Sequence, residues 1–160
     1  MQFCEKSTLF PNQDKENVYC VLEDLGGTCS TKHALLKRLA SELKLQDFQL
    51  MLGIFKMNMR NTPKISPILK KYNLTEMPEA HNYLKIKKQI QDFTEKNSEP
   101  ENFVQDLIQE IEISPNQITT FKIDYHKKFL QKYLEDNLHI PYSLSEFWRI
   151  REECIATLAH

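Results

Sequence analysis

Cys29, in the run Gly26-Gly27-Thr28-Cys29-Ser30-Thr31-Lys32-His33-Ala34-Leu35-Leu36, places a thiol where a glycine turn gives way to a helix. The first amides of a helix have no intrahelical acceptor and, with the macrodipole, favour negative charge at that end. A thiolate there is stabilised over a thiol. An ordinary cysteine has a pKa near about 8.5, and one lowered to about 6 is mostly nucleophile at neutral pH. Lys32 and His33, about one turn on, are expected to add to the effect. Because buried structural cysteines are common, the thiol needs partners, and these lie downstream.

The segment from Pro78 to Thr94 reads as two short strands joined by a polar turn, with His81 near one end and Asp92 near the other. If the loop is the two residues Lys87-Lys88, Ile86 faces Gln89 and Tyr83 faces Asp92, which makes His81 and Asp92 diagonal neighbours on one face. Lys-Lys is poor chemistry for a tight primed turn, which prefers Gly or Asn. A four-residue loop keeps the pair on one face but farther apart, and a three-residue loop puts them on opposite faces.

A Cys at a helix start, a His on a strand and an Asp on the next strand have the order of a nucleophilic triad. The thiolate attacks a carbonyl carbon, the imidazole exchanges a proton with the thiol and the leaving group, and the carboxylate fixes the tautomer and stabilises the cation. At these residues the chain resembles the transglutaminase-like superfamily of papain-type folds. The matching pieces are Gly27-Thr28-Cys29-Ser30, Glu79-Ala80-His81-Asn82-Tyr83 where that family often has His-Ala-Trp, and Asp92-Phe93-Thr94 where it often has Asp-Pro-Thr. The resemblance covers about residues 17–95 and implies Cys29 as nucleophile, His81 as base and Asp92 as orienter.

The chain departs from the family pattern in two places. The interval from Cys29 to His81 is longer than in compact members, and the aromatic Tyr83 follows His81 by two positions. The extra length fits an insertion between Arg60 and Met77, where Pro63, Pro67 and the amphipathic set Ile65, Ile68, Leu69 and Tyr72 could form a lid or a surface helix. The Cys29 amide is one candidate oxyanion donor. A second is open, with Asn17 and Gln13 as candidates, although polar residues before a helix more often cap or form turns. His33 is an alternative base, since it lies four positions along the helix and leans back toward Cys29. His126 and His139 read as surface or interfacial residues.

The scaffold these residues need is α+β. Leu35, Leu36, Leu39, Ala40 and Leu43 recur at helical spacing after Cys29, burying one face and holding the thiol. Phe48 to Met57 is a short apolar run that fits a buried strand beside the hairpin. Beyond Asp92 the pattern reads as helices. One is expected after the capping box Ser98-Glu99-Pro100-Glu101, carrying Phe103, Val104, Leu107, Ile108 and Ile111. Another is expected to start at Ser114-Pro115-Asn116-Gln117. A third spans about 124–138, and Ser143-Leu144-Ser145-Glu146 caps the last. The expectation is a papain/transglutaminase-like core in which the nucleophile helix packs on a small antiparallel sheet, with a helical C-terminal extension. We read 1–160 as a single domain, with its core at about 17–95 and the extension at about 98–160.

Composition bounds the function. The 160 residues are 41% hydrophobic, enough for one core, and the 21 basic against 22 acidic residues leave a net charge of -1 with no global attraction to nucleic acid or acidic membranes. No apolar stretch reads as a signal peptide or a membrane span, so the cytoplasm is the expected compartment. Cys4, Cys20, Cys29 and Cys154 lack C-x-x-C spacing, which indicates neither a zinc site nor a disulfide framework. Cys20 and Cys154 read as core residues. A metal held by Cys29, His33 and His81 would lack the spacing of structural zinc, so no cofactor or metal is expected. Two functions fit: thiol-dependent acyl transfer or hydrolysis on the carbonyl of a peptide, amide, ester or thioester, or a non-catalytic binding module on the same fold. Substrate, acceptor and oligomeric state are not encoded in these residue types.

Overall fold

A computed structural model describes residues 12–158. Four strands, β1 (Phe48–Asn58), β2 (Glu76–Ile86), β3 (Gln89–Gln91) and β4 (Leu107–Ile113), form one antiparallel sheet in the order β3-β2-β1-β4. The helices among the described residues are α1 (Cys20–Glu23), α2 (Cys29–Glu42), α3 (Ser66–Lys71), α4 (Glu101–Val104), α5 (Thr120–Asp136) and α6 (Leu144–Leu158), with 3-10 turns at Pro63–Ile65 and Pro115–Gln117. The chain is α+β, and none of these helices is long and apolar enough to cross a membrane.

Both faces of the sheet are covered, which is why β1 is nearly continuously apolar rather than alternating. On one face Leu50, Leu52, Ile54, Ala80 and Leu84 pack against Ala34, Leu35 and Leu36 of α2. On the other, Met51, Phe55, Met57, Met77 and Tyr83 pack against Phe103, Leu130 of α5 and Phe147, Ile150 and Cys154 of α6. Each fully buried Leu or Ile contributes about 1.5–3 kcal/mol, and these contacts hold the first turn of α2 in place.

The β2–β3 hairpin turns on two residues, Lys87 and Lys88, and its ladder pairs Ile86 with Gln89 and Leu84 with Gln91. Both lysines have positive φ, 51° and 68°, as a primed two-residue turn demands, although neither is the Gly or Asn such turns prefer. The tight register therefore forms against local preference. Strand β1 pairs along the whole of β2, with Gly53 opposite His81. A Cβ on Gly53 would come 2.8 Å from Leu107 Cδ1 and 2.9 Å from Tyr83 Cε1, so glycine makes room for that ring.

Three readings are corrected. The helix expected through Leu107, Ile108 and Ile111 is one turn, α4, followed by strand β4. Alternation in Glu110-Ile111-Glu112-Ile113 wins there, and Glu110 is secured across the sheet by Tyr83 and Lys85. The Ser98 hydroxyl accepts instead from the Glu95 amide at 2.9 Å and closes the preceding turn. The next long helix starts at Thr120 rather than near 124, behind a capping box of Ser114 and Gln117. His126 is buried, its Nε2 on the Pro78 carbonyl at 2.9 Å and its ring 5.2 Å from Trp148.

The connection between β1 and β2, read as a lid or a surface helix, is docked on α6. Ile65 and Leu69 are buried there, and the Tyr72 hydroxyl and Lys71 Nζ donate to Glu153 at 2.6 and 2.9 Å. It sits at the ladder end where Asn58 meets Glu76, away from the Gly53–His81 pair.

The strained turn makes a direct prediction. Replacing Lys88, at φ 68°, with Gly should raise stability by about 1 kcal/mol, read as a higher urea midpoint at unchanged slope. A lowered midpoint would contradict the turn geometry.

Candidate active site

Cys29 is the first residue of α2, and the backbone before it is tightly held. Thr28 caps the helix in a capping box with Thr31, whose hydroxyl accepts from the Thr28 amide at 2.9 Å and donates to buried Asn12 at 2.6 Å. Asn12 Nδ2 in turn donates to the Gly26 carbonyl at 2.9 Å and to Asp24 at 2.8 Å. A Cβ on Gly27 would stand 2.5 Å from Thr31 Oγ1 and 2.7 Å from Asn12 Oδ1. Glycine at position 27, two residues before Cys29, is thus required by close approach. The left-handed residue of this turn is Leu25, at φ 55°.

The sulfur lies against the edge of β2. Because β3 stops opposite Leu84, the β2 edge beyond that point has no neighbouring strand, and the Asn82 backbone amide donates to Cys29. Asp92 follows β3 directly, one register step past the Leu84–Gln91 pair. Its Oδ2 accepts from His81 Nε2 at 2.9 Å, and its Oδ1 accepts from the Thr94 amide at 2.9 Å and the Thr94 hydroxyl at 2.5 Å. With Nε2 on the carboxylate, Nδ1 is the His81 nitrogen left for the thiol, and each side chain favours the charged form of the other. The ring is lodged among aromatics, 4.9 Å from Phe103, 6.0 Å from Phe55 and 6.1 Å from Tyr83 between centroids.

The structure brings Cys29, His81 and Asp92 together. His33 stands beside them in another capacity. Its Nδ1 donates to the Cys29 carbonyl at 2.7 Å and its Nε2 accepts from the Phe93 amide at 2.8 Å, which fixes a neutral tautomer with neither nitrogen free to act as a base. Burial holds its pKa down, at about 4, against the pull of Asp92. Lys32 is also buried and donates to the Thr94 carbonyl at 2.8 Å. Consecutive residues of α2 therefore clamp the 92–94 segment beside the thiol. Asn17 is engaged with Glu23 and the Tyr19 amide at 2.8 and 3.0 Å, as a turn residue of α1, and Gln13 is exposed.

Lys122 was missed by the sequence reading. From the first turn of α5 its Nζ reaches 3.9 Å from Cys29 Sγ, 2.8 Å from Ser30 Oγ and 2.9 Å from Asn82 Oδ1. No local pattern signals a contact 93 positions away, and the helix expected over about 124–138 does not include the residue.

These neighbours set the protonation states. Burial opposes ionisation of Cys29, but Lys122, His81 and the Asn82 amide outweigh it and bring the thiol down to about 6. Burial likewise disfavours the His81 cation, and Asp92 and the thiolate overcome it, raising the imidazole to about 10. Asp92 is buried too, yet His81, His33 and Thr94 hold it well below the usual carboxylate range. Between about 6 and about 10 the pair is thiolate and imidazolium. By contrast, burial raises the pKa of Cys20 and pushes Cys154 up to about 11. Cys4 lies outside the described residues. Among the described residues no group of three or more His, Cys, Asp or Glu is arranged to hold a metal.

Comparison with protein-family models, curated proteins and solved structures finds no match to this chain.

Ionisation predicts reactivity. Iodoacetamide at neutral pH should modify partly exposed Cys29 and spare buried Cys20 and Cys154. Because the thiolate is the reacting form, the rate should rise with pH through about 6 and then level off, and Lys122→Met should move that midpoint up toward the ordinary thiol range. Peptide mapping that finds Cys20 or Cys154 modified first would contradict the assignment.

Proposed function

We propose that this chain is a thiol enzyme of transglutaminase-like, papain-type architecture that performs acyl transfer or hydrolysis on an amide, ester or thioester carbonyl. One observation carries the reading: the His81 Nε2–Asp92 Oδ2 hydrogen bond of 2.9 Å, which leaves Nδ1 for the helix-start thiol whose ionised form the imidazole favours. In this mechanism the Cys29 sulfur attacks the acyl carbon and the carbonyl π pair moves to oxygen. The tetrahedral adduct collapses as the leaving amine, alcohol or thiol takes a proton from the His81 imidazolium. Neutral His81 then removes a proton from the incoming water or amine, which attacks the thioester and regenerates the thiolate. Asp92 holds the tautomer and the charge of the imidazole throughout.

The same reading places the chain in a reducing compartment such as the cytoplasm, where the thiolate survives, and takes a peptide, amide or acyl compound as partner rather than nucleic acid or a membrane. The clamp of the 92–94 segment by Lys32 and His33 supports it, since that contact holds the carboxylate and adds nothing to the sheet ladder.

Incubation with activated esters and acyl amides should give a mass adduct on Cys29 that decays by hydrolysis or by transfer to an added amine. Cys29→Ser should abolish it, and Asp92→Asn should slow its formation by roughly 10²-fold or more. Rapid alkylation of Cys29 with no adduct from even the smallest acyl donor would favour a binding module.

A further inference from the structure

We propose that Lys122 is a catalytic residue of this site, the side-chain donor that binds the oxyanion of the tetrahedral adduct. The assignment rests on the acyl-transfer reading of Cys29. Lys122 Nζ donates to Ser30 Oγ at 2.8 Å and to Asn82 Oδ1 at 2.9 Å. These acceptors belong to the residues that follow Cys29 and His81, so the ammonium is indexed to the nucleophile and the base at once. Ser30 and Asn82 are both buried, and Asn82 is itself fixed by its Nδ2 on the Met51 carbonyl at 2.9 Å. An ammonium carries three N–H donors. Two are taken by these neutral oxygens, and Nζ faces the Cys29 sulfur at 3.9 Å.

That position is where negative charge develops. When the thiolate bonds to an acyl carbon, the carbonyl oxygen becomes an alkoxide one bond from that carbon, and a donor that binds it stands at about 2.7–3.1 Å, a range open to a group beside the sulfur. The charge leaves the sulfur as the S–C bond forms and arrives on oxygen as the C=O π pair opens. Lys122 thus keeps a counter-charge through the step. Collapse returns the pair to the C=O bond and expels the leaving group, which takes the His81 proton. The Cys29 amide, first in its helix and without an intrahelical acceptor, is the companion donor. The placement also runs against local helix electrostatics, because a cation in the first turn of α5 faces the positive end of the dipole. Its neighbours Phe121 and Ile123 are exposed while Lys122 turns inward to the thiol.

Two reactions of one thiolate separate oxyanion binding from thiol activation. Iodoacetamide alkylation passes through no oxyanion, whereas acylation by para-nitrophenyl acetate does. At a pH above the thiol titration of every variant, Lys122→Met should alkylate nearly as fast as wild type and acylate roughly 10²–10³-fold more slowly. Lys122→Arg should keep most of the acylation rate. If Lys122→Met does not fold, as judged by near-ultraviolet circular dichroism, Lys122→Gln supplies the same comparison and should again lose acylation selectively. Equal losses in both reactions, in a wild type that acylates, overturn the Lys122 assignment alone. A wild type that alkylates but never acylates overturns the acyl-transfer reading and this assignment with it.

Discussion

β3 ends at Gln91, and the arrangement of the site depends on that early stop. Had the strand continued, it would have taken the β2 backbone groups beyond Leu84 into the ladder. Instead the Asn82 amide is left for the Cys29 sulfur, and the chain turns with Asp92 as its first free residue. The carboxylate then meets His81 at 2.9 Å. A sheet edge normally has to be covered or blunted, and here the start of a helix covers it. That contact joins Cys29, His81 and Asp92 through one piece of backbone geometry.

Four charges gather where the helix meets the edge: the Cys29 thiolate, the His81 imidazolium, the Asp92 carboxylate and the Lys122 ammonium. Burying any one alone would be costly, and breaking such a set by removing one partner strands the others. Their signs alternate along the chain of contacts Lys122, Cys29, His81, Asp92, so each charge is compensated by a neighbour. Burial works against ionisation of Cys29, His81 and Asp92, and the neighbours prevail for these three. His33 borders this set and is neutral above about 4, its Nε2 accepting from the Phe93 amide.

Local signals made much of this legible in the sequence. The glycine turn before Cys29, the helical spacing of Leu35, Leu36 and Ala40, and the apolar run of β1 each state their own structure. The two-residue reading of Lys87-Lys88 gives the register that joins His81 to Asp92, even though the turn itself argues against it. The C-terminal half was less legible. A proline and a capping signature near 98–101 outweighed the strand alternation of 107–113, because an edge strand with glutamates at 110 and 112 reads as weakly as an amphipathic helix. His126 looked like a surface residue because the Pro78 carbonyl that satisfies it is 48 positions away. Lys122 gave no sign for the same reason, since its meaning is entirely tertiary.

The central claim is that Cys29 and His81 form a thiolate–imidazolium pair. Nitrogen NMR of the His81 ring at about pH 8 tests it most directly, since an ordinary histidine, with a pKa near about 6.5, is neutral there. A doubly protonated ring is predicted, because its pKa is raised to about 10. In Cys29→Ser the ring should lose its proton at lower pH, because the thiolate is one of the charges that hold it. A His81 ring that is neutral at that pH in the wild type, beside a protonated thiol, would contradict the account.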